Sequence, residues 1–198
     1  MDKLNGIEKV KKPEYAQLAQ KLFEEYKGKG FISSEELDKF LGENSNKEEL
    51  LKSIEEQGFV FHGSSKFVDN TLEIRQAEDL STDPKNKQNG IYATNIPSVA
   101  MYMAIISPEK TEASSMTYGM NMKYYNGKVT PIFSADQNMD TVLSNGYVYI
   151  LNKSNFEKLS EDPSEWQFIS KENIKPDLIV EVLPKDFNHE IIIKENKH

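Results

Sequence analysis

Apolar residues recur every three or four positions over the first part of the chain, which is the period of an amphipathic helix. One series runs from Tyr15 to Tyr26 and stops before Gly28-Lys29-Gly30. Ser33-Ser34-Glu35-Glu36 has the spacing of a capping box ahead of a second helix, and Asn46 precedes a third. The pattern therefore predicts three short helices that pack on one face of a larger unit.

From Gly58 onward the apolar period changes from helical to extended, which divides an N-terminal helical region, 1–57, from a larger domain, 58–198. A helix is predicted to begin near Pro97, and Tyr125-Asn126-Gly127-Lys128 predicts a hairpin turn. Helices followed by strands are typical of the α+β class. The predicted strands are Phe59–Ser64, Gly90–Thr94, Met116–Tyr124, Val129–Phe133, Tyr147–Leu151, Glu165–Ser170, Leu178–Leu183 and Glu190–Ile193.

The amino-acid composition excludes or disfavours several classes of function. The chain of 198 residues has a formal net charge of -8, and an acidic surface repels the phosphates of nucleic acid. It has no cysteine, which excludes disulfides, a thiolate nucleophile and a cysteine-bound zinc cluster. No stretch resembles a signal region or reaches membrane-spanning length. We expect a soluble cytoplasmic protein with neither a metal cofactor nor a membrane partner.

Two predicted strands end in residues that suit a ligand site. His62-Gly63-Ser64 joins a titratable ring to a glycine that can be approached closely, and Gly90-Ile91-Tyr92-Ala93 places an aromatic ring beside another glycine. Glu165 opens a later strand next to Trp166, the only tryptophan, where a carboxylate can be partly desolvated and directed at a ligand. Taken singly, these residues are more typical of a structural histidine, a strand aromatic and a solvated glutamate than of a ligand site.

Taken together, the three segments resemble the poly(ADP-ribose) polymerase and diphtheria-toxin branch of the ADP-ribosyltransferases. That branch carries His-Gly on its first core strand, Gly-x-Tyr on the next with a further aromatic residue beyond it, and Glu-Tyr opening a late strand. The matching segments here are His62-Gly63-Ser64, Gly90-Ile91-Tyr92 with Tyr102, and Glu165-Trp166. The same three segments also resemble those of small bacterial, rifampin-type members of the same fold. The resemblance covers Phe59 to about Val182.

The resemblance implies a split antiparallel β-sandwich whose cleft binds NAD+ as a substrate. In it, His62 would hydrogen-bond the adenosine ribose, Gly63 would hold the nicotinamide amide, and Tyr92 and Tyr102 would stack on the nicotinamide ring. Glu165 would grip the other ribose and stabilise the ribosyl cation that forms when nicotinamide departs. The implied catalytic residues are His62, Tyr92 and Glu165, and the implied NAD+ site comprises His62, Gly63, Ser64, Tyr92, Ala93, Ala100 and Tyr102.

Two positions depart from the pattern of the branch. Ala100 stands where a serine often contacts the nicotinamide amide, and Trp166 replaces the usual tyrosine. Neither change removes a charge, so we expect an active NAD-dependent mono-ADP-ribosyltransferase that modifies a protein or a small molecule, with nucleic acid disfavoured. The segments Thr71–Asn89 and Asp136–Ser144 are expected to influence the choice of acceptor.

Two other functions stay open at this point. One is a catalytically weak or silent module that binds NAD+ or ADP-ribose, although such a module has no use for the retained Glu165. The other is RNA 2'-phosphotransferase chemistry on the same fold, which calls for several arginines around a phosphate. The chain contains only Arg75, which disfavours the RNA reaction. The sequence does not reveal the acceptor, polymer formation or hydrolysis, the role of the N-terminal helices, or the oligomeric state.

Overall fold

The computed structural model of the chain describes residues 14–26, 28–42, 46–76, 88–162 and 164–194. These residues form helices α1 Tyr15–Tyr26, α2 Ser34–Leu41, α3 Lys47–Glu55, α4 Pro97–Ile105 and α5 Pro108–Ala113. The strands are β1 Phe31–Ile32, β2 Phe59–Ser64, β3 Arg75–Gln76, β4 Asn89–Thr94, β5 Tyr118–Tyr125, β6 Lys128–Ala135, β7 Gly146–Asn152, β8 Glu157–Lys158, β9 Gln167–Ser170, β10 Leu178–Val182 and β11 Ile191–Ile193. The class is α+β, which confirms the prediction.

The three N-terminal helices form where the sequence predicts them. Ser33 and Glu36 close a reciprocal capping box at the start of α2, and the side chain of Asn46 accepts the N–H groups of Glu48 and Glu49 at the start of α3. The apolar faces of α1 to α3 share one core with α4 and one face of the large sheet. Although the period of the apolar residues changes at Gly58, the helices before it therefore pack directly against the sheet and the helix that follow it.

The strands form two sheets. The large sheet has the order β1-β10-β7-β2-β4-β9-β8, with β3 also paired to β4, and its pairs are antiparallel except for β1 and β10. The small sheet has the order β11-β6-β5. A second core covers the other face of the large sheet, and a third lies between α4 and the small sheet. Among the helices in the described part of the chain, none is long and apolar enough to cross a membrane.

The centre of the large sheet is open. Strand β2 pairs with β7 along its whole length, and β4 pairs with β9 from Ile91 to Thr94. Between β2 and β4, however, the register contains only the pair Phe61 and Thr94. Beyond that pair the two central strands diverge, and the residues predicted for the site lie on both sides of the opening.

Two glycines allow α4 to lie directly against the large sheet beside this opening. A Cβ atom on Gly63 of β2 would stand 1.9 Å from the carbonyl oxygen of Ala100, and one on Gly146 of β7 would stand 1.8 Å from that of Ala104. Real Cβ atoms do not approach so closely, because the repulsion between atoms rises steeply at short distances. Helix α4 can therefore occupy its place only because both positions lack a side chain.

Candidate functional site

His62 bridges β2 and β4 at the point where the strands diverge. Its Nδ1 atom lies 2.8 Å from the carbonyl oxygen of Tyr92. A carbonyl oxygen can only accept, so Nδ1 carries the proton and Nε2 is the acceptor nitrogen of the neutral ring. Burial lowers the pKa of His62; the bond to the Tyr92 carbonyl opposes this effect and the charge of Arg75 adds to it. The ring is therefore neutral at neutral pH.

The backbone of Gly63 is directed toward the opening. Backbone groups point alternately to the two sides along an antiparallel strand. The carbonyl of Gly58 accepts a hydrogen bond from the N–H of Lys153, which follows β7. The backbone N–H and C=O groups of the even-numbered residues of β2 are therefore directed at β7, and those of Phe61 and Gly63 are directed at β4. Gly63 lies beyond the single register pair between β2 and β4. Its N–H and C=O groups therefore point into the space between the strands.

An apolar cavity of about 220 Å³ lies between α4, the ends of β2 and β4, the start of β9 and the small sheet. Its walls are mostly hydrocarbon and aromatic, with the polar groups of His62, Thr94 and Gln167 among them. The full lining is Phe61, His62, Gly63, Tyr92, Ala93, Thr94, Val99, Ala100, Met103, Met120, Trp166 and Gln167. Such a space suits a flat, mostly apolar group that carries a few hydrogen-bonding atoms.

A groove of about 450 Å³ lies on the other side of His62 and Tyr92, which line both spaces. We call it the polar groove because charged and hydroxyl-bearing side chains line it, although hydrocarbon forms much of its surface. Its lining includes Ser64 and the cationic side chains of Lys66 and Arg75, together with the carboxylate-bearing Glu73. Phe67 also lines it and packs against Phe31 and Tyr147, with ring centroids 5.1 and 5.0 Å apart. The groove therefore carries two cationic side chains and one carboxylate beside an aromatic cluster.

Tyr92 is held in place at the junction of the two spaces. Its hydroxyl accepts the N–H of Gln88 at 3.0 Å and donates to the carbonyl of Gln88 at 3.3 Å. The carbonyl of Tyr92 accepts the proton of His62. The hydroxyl and the backbone carbonyl of Tyr92 are therefore both hydrogen-bonded to neighbouring residues. These bonds fix the orientation of its ring before any ligand binds.

The structure brings five of the predicted residues together in the apolar cavity: His62, Gly63, Tyr92, Ala93 and Ala100. Ser64 lies instead in the polar groove. Residues 77–87 of the predicted acceptor loop Thr71–Asn89 lie outside the described residues.

Tyr102 does not line either space, contrary to its predicted stacking role. The ring is fully buried between α4 and the small sheet, 4.6 Å from the ring of Phe133 and 5.5 Å from that of Phe187. Its hydroxyl donates to the carbonyl of Ser134 at 3.2 Å, and burial raises its pKa. Val99, Ala100 and Met103 of α4 line the cavity. Tyr102 instead packs in the core between α4 and the small sheet, to which Val99 also contributes.

Glu165 lies in the turn before β9 rather than on the strand, which begins at Gln167. One carboxylate oxygen, Oε2, accepts the hydroxyl of Ser160 at 2.8 Å. The other, Oε1, accepts the N–H groups of Trp166 at 3.0 Å and Gln167 at 2.9 Å. Trp166 and Gln167 line the apolar cavity, whereas Glu165 does not. Its carboxylate therefore lies beside the cavity wall rather than within it.

Sequence reasoning missed the contributions of Met103 and Met120 to the cavity. The alternation of apolar residues in β5 places Met120 on an apolar face, but it does not reveal what that face meets. Arg75 was noted only as the single arginine, and its place in the groove depends on the pairing of β3 with β4. Both facts come from long-range topology, for which the local sequence carries no signal.

Comparison with known proteins adds no relative. Neither a family model, nor a curated protein, nor a solved structure matches the chain. Within the described ranges there is also no group of three or more histidine and acidic side chains arranged to hold a metal ion.

Proposed function

We propose that the chain binds NAD+ at the opening of the large sheet, cleaves the bond between nicotinamide and ribose, and transfers ADP-ribose to a protein or small-molecule acceptor. The observation that carries this proposal is the meeting of the apolar cavity and the polar groove at His62 and Tyr92. NAD+ joins a flat nicotinamide group to an anionic adenosine diphosphate. A ligand of that kind needs an apolar space and a cationic groove that adjoin each other.

The apolar cavity suits the nicotinamide group. Its volume of about 220 Å³ exceeds the ~150 Å³ of an engineered cavity that admits benzene. The N–H and C=O of Gly63 offer a donor and an acceptor for the carboxamide, which carries both kinds of group. The methionine side chains add polarisable contacts to the ring. Tyr92, fixed through Gln88, supplies an aromatic wall.

The polar groove suits the adenosine diphosphate. Arg75 and Lys66 can pair with phosphate oxygens, and the acceptor Nε2 of His62 can receive a ribose hydroxyl. Lys66 is held by Glu109 at 3.1 Å, but both side chains are largely exposed, so the ion pair is weak and can be exchanged for a phosphate. Ser64 adds a hydroxyl at the end of β2.

In the proposed reaction the C–N bond between ribose and nicotinamide breaks, and its electron pair leaves with neutral nicotinamide. The ribosyl carbon becomes cationic, and the Glu165 carboxylate stabilises that charge. An acceptor nucleophile, or water, then forms a bond to the same carbon and loses a proton. The ribose lies outside the ring cavity in this arrangement, next to the cavity wall where Glu165 is held.

Titration calorimetry and nicotinamide release together test the proposal. His62→Ala and Tyr92→Ala should weaken NAD+ binding, whereas His189→Ala and Tyr125→Ala are matched controls at positions outside both spaces. Glu165→Gln should lower turnover by roughly two to three powers of ten with little change in NAD+ affinity. If both cavity variants bind NAD+ like the parent protein, the assigned site is wrong.

A module that binds NAD+ or ADP-ribose without turnover is the second candidate. It is favoured by one observation, that the Glu165 carboxylate accepts three hydrogen bonds from its own turn and strand and does not line the cavity. Binding of NAD+ without any nicotinamide release would support the module over the enzyme.

The acceptor is tested with labelled NAD+ and cell lysate, with and without nuclease. A protein or small-molecule acceptor predicts label that survives nuclease treatment. Label confined to the nuclease-sensitive fraction would overturn that part of the proposal, and long ladders on the protein itself would contradict single transfer.

A further inference from the structure

We propose that Ser160 is a positioning residue that fixes the plane of the Glu165 carboxylate beside the apolar cavity. The catalytic consequence of this inference rests on the proposed function, whereas the contact itself does not. The hydroxyl of Ser160 lies 2.8 Å from Oε2 of Glu165, across the turn that joins β8 to β9.

The hydroxyl of Ser160 is directed by its surroundings. Its oxygen accepts the N–H of Asp162 at 3.4 Å, so its proton remains for the carboxylate of Glu165. The turn is also closed by the backbone, because the N–H of Glu165 donates to the carbonyl of Asp162 at 2.9 Å. The N–H of Leu159 donates to the carbonyl of Gln167 at 3.1 Å, which anchors the turn to β9. Ser160 and Glu165 therefore face each other from two fixed ends.

The two oxygens of the carboxylate are held differently. Oε1 accepts two backbone N–H groups, from Trp166 and Gln167, whereas within the described part of the chain Oε2 accepts from Ser160 alone. A carboxylate held through one oxygen can still rotate about that attachment. The bond from Ser160 fixes the second oxygen and thereby the plane of the group, which decides the direction in which its charge acts on a ribosyl cation.

The turn contains a matched control. Ser164 also carries a hydroxyl, but that hydroxyl donates to Oδ1 of Asp162 at 2.6 Å rather than to the Glu165 carboxylate. Ser160→Ala should lower kcat for nicotinamide release by about tenfold with an unchanged KM for NAD+. Ser160→Thr keeps the hydroxyl and should restore most of the loss, and Ser164→Ala should behave like the parent protein. An equal loss in Ser164→Ala would overturn the proposal, because the effect would then belong to the turn as a whole.

A second measurement does not depend on turnover. The backbone N–H groups of Trp166 and Gln167 both donate to Oε1 of Glu165, so the hydrogen-exchange rates of these two amides report how firmly that carboxylate is held. Loss of the Ser160 donor frees Oε2, so both amides should exchange faster in Ser160→Ala, by roughly fivefold. Ser160→Thr should restore the slow exchange, and Ser164→Ala should leave both rates as in the parent protein.

The two measurements separate the two proposals. Parent-like kcat, or parent-like exchange of the Trp166 and Gln167 amides, in folded Ser160→Ala would overturn the role of Ser160. If the parent protein binds NAD+ but releases no nicotinamide, the proposed enzyme activity fails, while the exchange of these two amides still decides whether Ser160 holds the carboxylate.

Discussion

Replacing Gly63 by alanine adds one methyl group at the point where α4 crosses β2. The new Cβ would lie 1.9 Å from the carbonyl oxygen of Ala100, 2.8 Å from its carbonyl carbon and 3.0 Å from the amide nitrogen of Ala104. All three atoms belong to the helix backbone, which cannot rotate away as a flexible side chain can. The helix and the strand must therefore separate by more than about 1 Å.

The magnitude follows from two opposing effects. Inserting a methylene-sized group into a well-packed interface costs typically about 1–3 kcal/mol, and the contact with Gly63 is an extreme case. Alanine also restricts the unfolded chain, which stabilises the folded state by about 0.4–1 kcal/mol. We expect a net loss of about 2 kcal/mol in the free energy of unfolding, or a fall in Tm of roughly 4–8 °C for a chain of this size.

Urea unfolding of Gly63→Ala, followed by circular dichroism, measures this loss against Gly119→Ala. A Cβ on Gly119 of β5 would meet nothing within 4 Å, so that variant should be as stable as the parent protein. Because α4 also supplies Ala100 and Met103 to the cavity, Gly63→Ala should additionally weaken NAD+ binding if the proposed function holds. Equal stability of the two variants would refute the packing role of Gly63.

Two further predictions concern single side chains. Because burial lowers the pKa of His62, the unfolded chain takes up a proton near pH 6.5 that the folded chain resists. The free energy of unfolding should therefore fall as the pH drops below about 6.5. In urea titrations at several pH values, His62→Gln should make the free energy of unfolding depend less steeply on pH. An unchanged dependence would contradict its attribution to His62. Tyr102→Phe removes the bond to Ser134 and should cost about 1 kcal/mol in thermal unfolding, with NAD+ affinity unchanged; weaker binding would contradict the core position of Tyr102.

Helix starts and turns that are specified by a few neighbouring residues are well predicted from the sequence. The capping box of Ser33 and Glu36 is complete within four residues, and it marks the start of α2 correctly. The hairpin at Asn126 and Gly127 has positive φ at both residues, 48° and 72°, which asparagine and glycine tolerate. By contrast, β1, β3 and β8 contain two residues each and exist only through their partners. A segment of two residues has no period, so the sequence alone does not predict it.

The residues of the candidate site likewise fall into those that local motifs predict and those whose place depends on the three-dimensional fold. His62, Gly63 and Tyr92 occur in short motifs at strand ends, and the structure places them around one opening. Tyr102 could not be assigned from sequence because α4 is apolar on nearly all sides, so its pattern does not indicate which face meets the cavity. Ser160 was not predicted because its role depends on the geometry of a turn. The exact direction of the Glu165 side chain depends on that same turn.

The two interpretations of His62, a structural histidine and a ligand-binding histidine, are compatible because the ring has two nitrogens. Nδ1 donates to the carbonyl of Tyr92 and thereby joins β2 to β4 where their backbones no longer pair. That bond fixes the tautomer and leaves Nε2 as the acceptor at the junction of the cavity and the groove. Protonation would change Nε2 from an acceptor into a donor and place a charge near Arg75. The burial that keeps the ring neutral therefore preserves the acceptor that the proposed ribose contact requires, whereas the Nδ1 bond that joins the strands is made in either charge state.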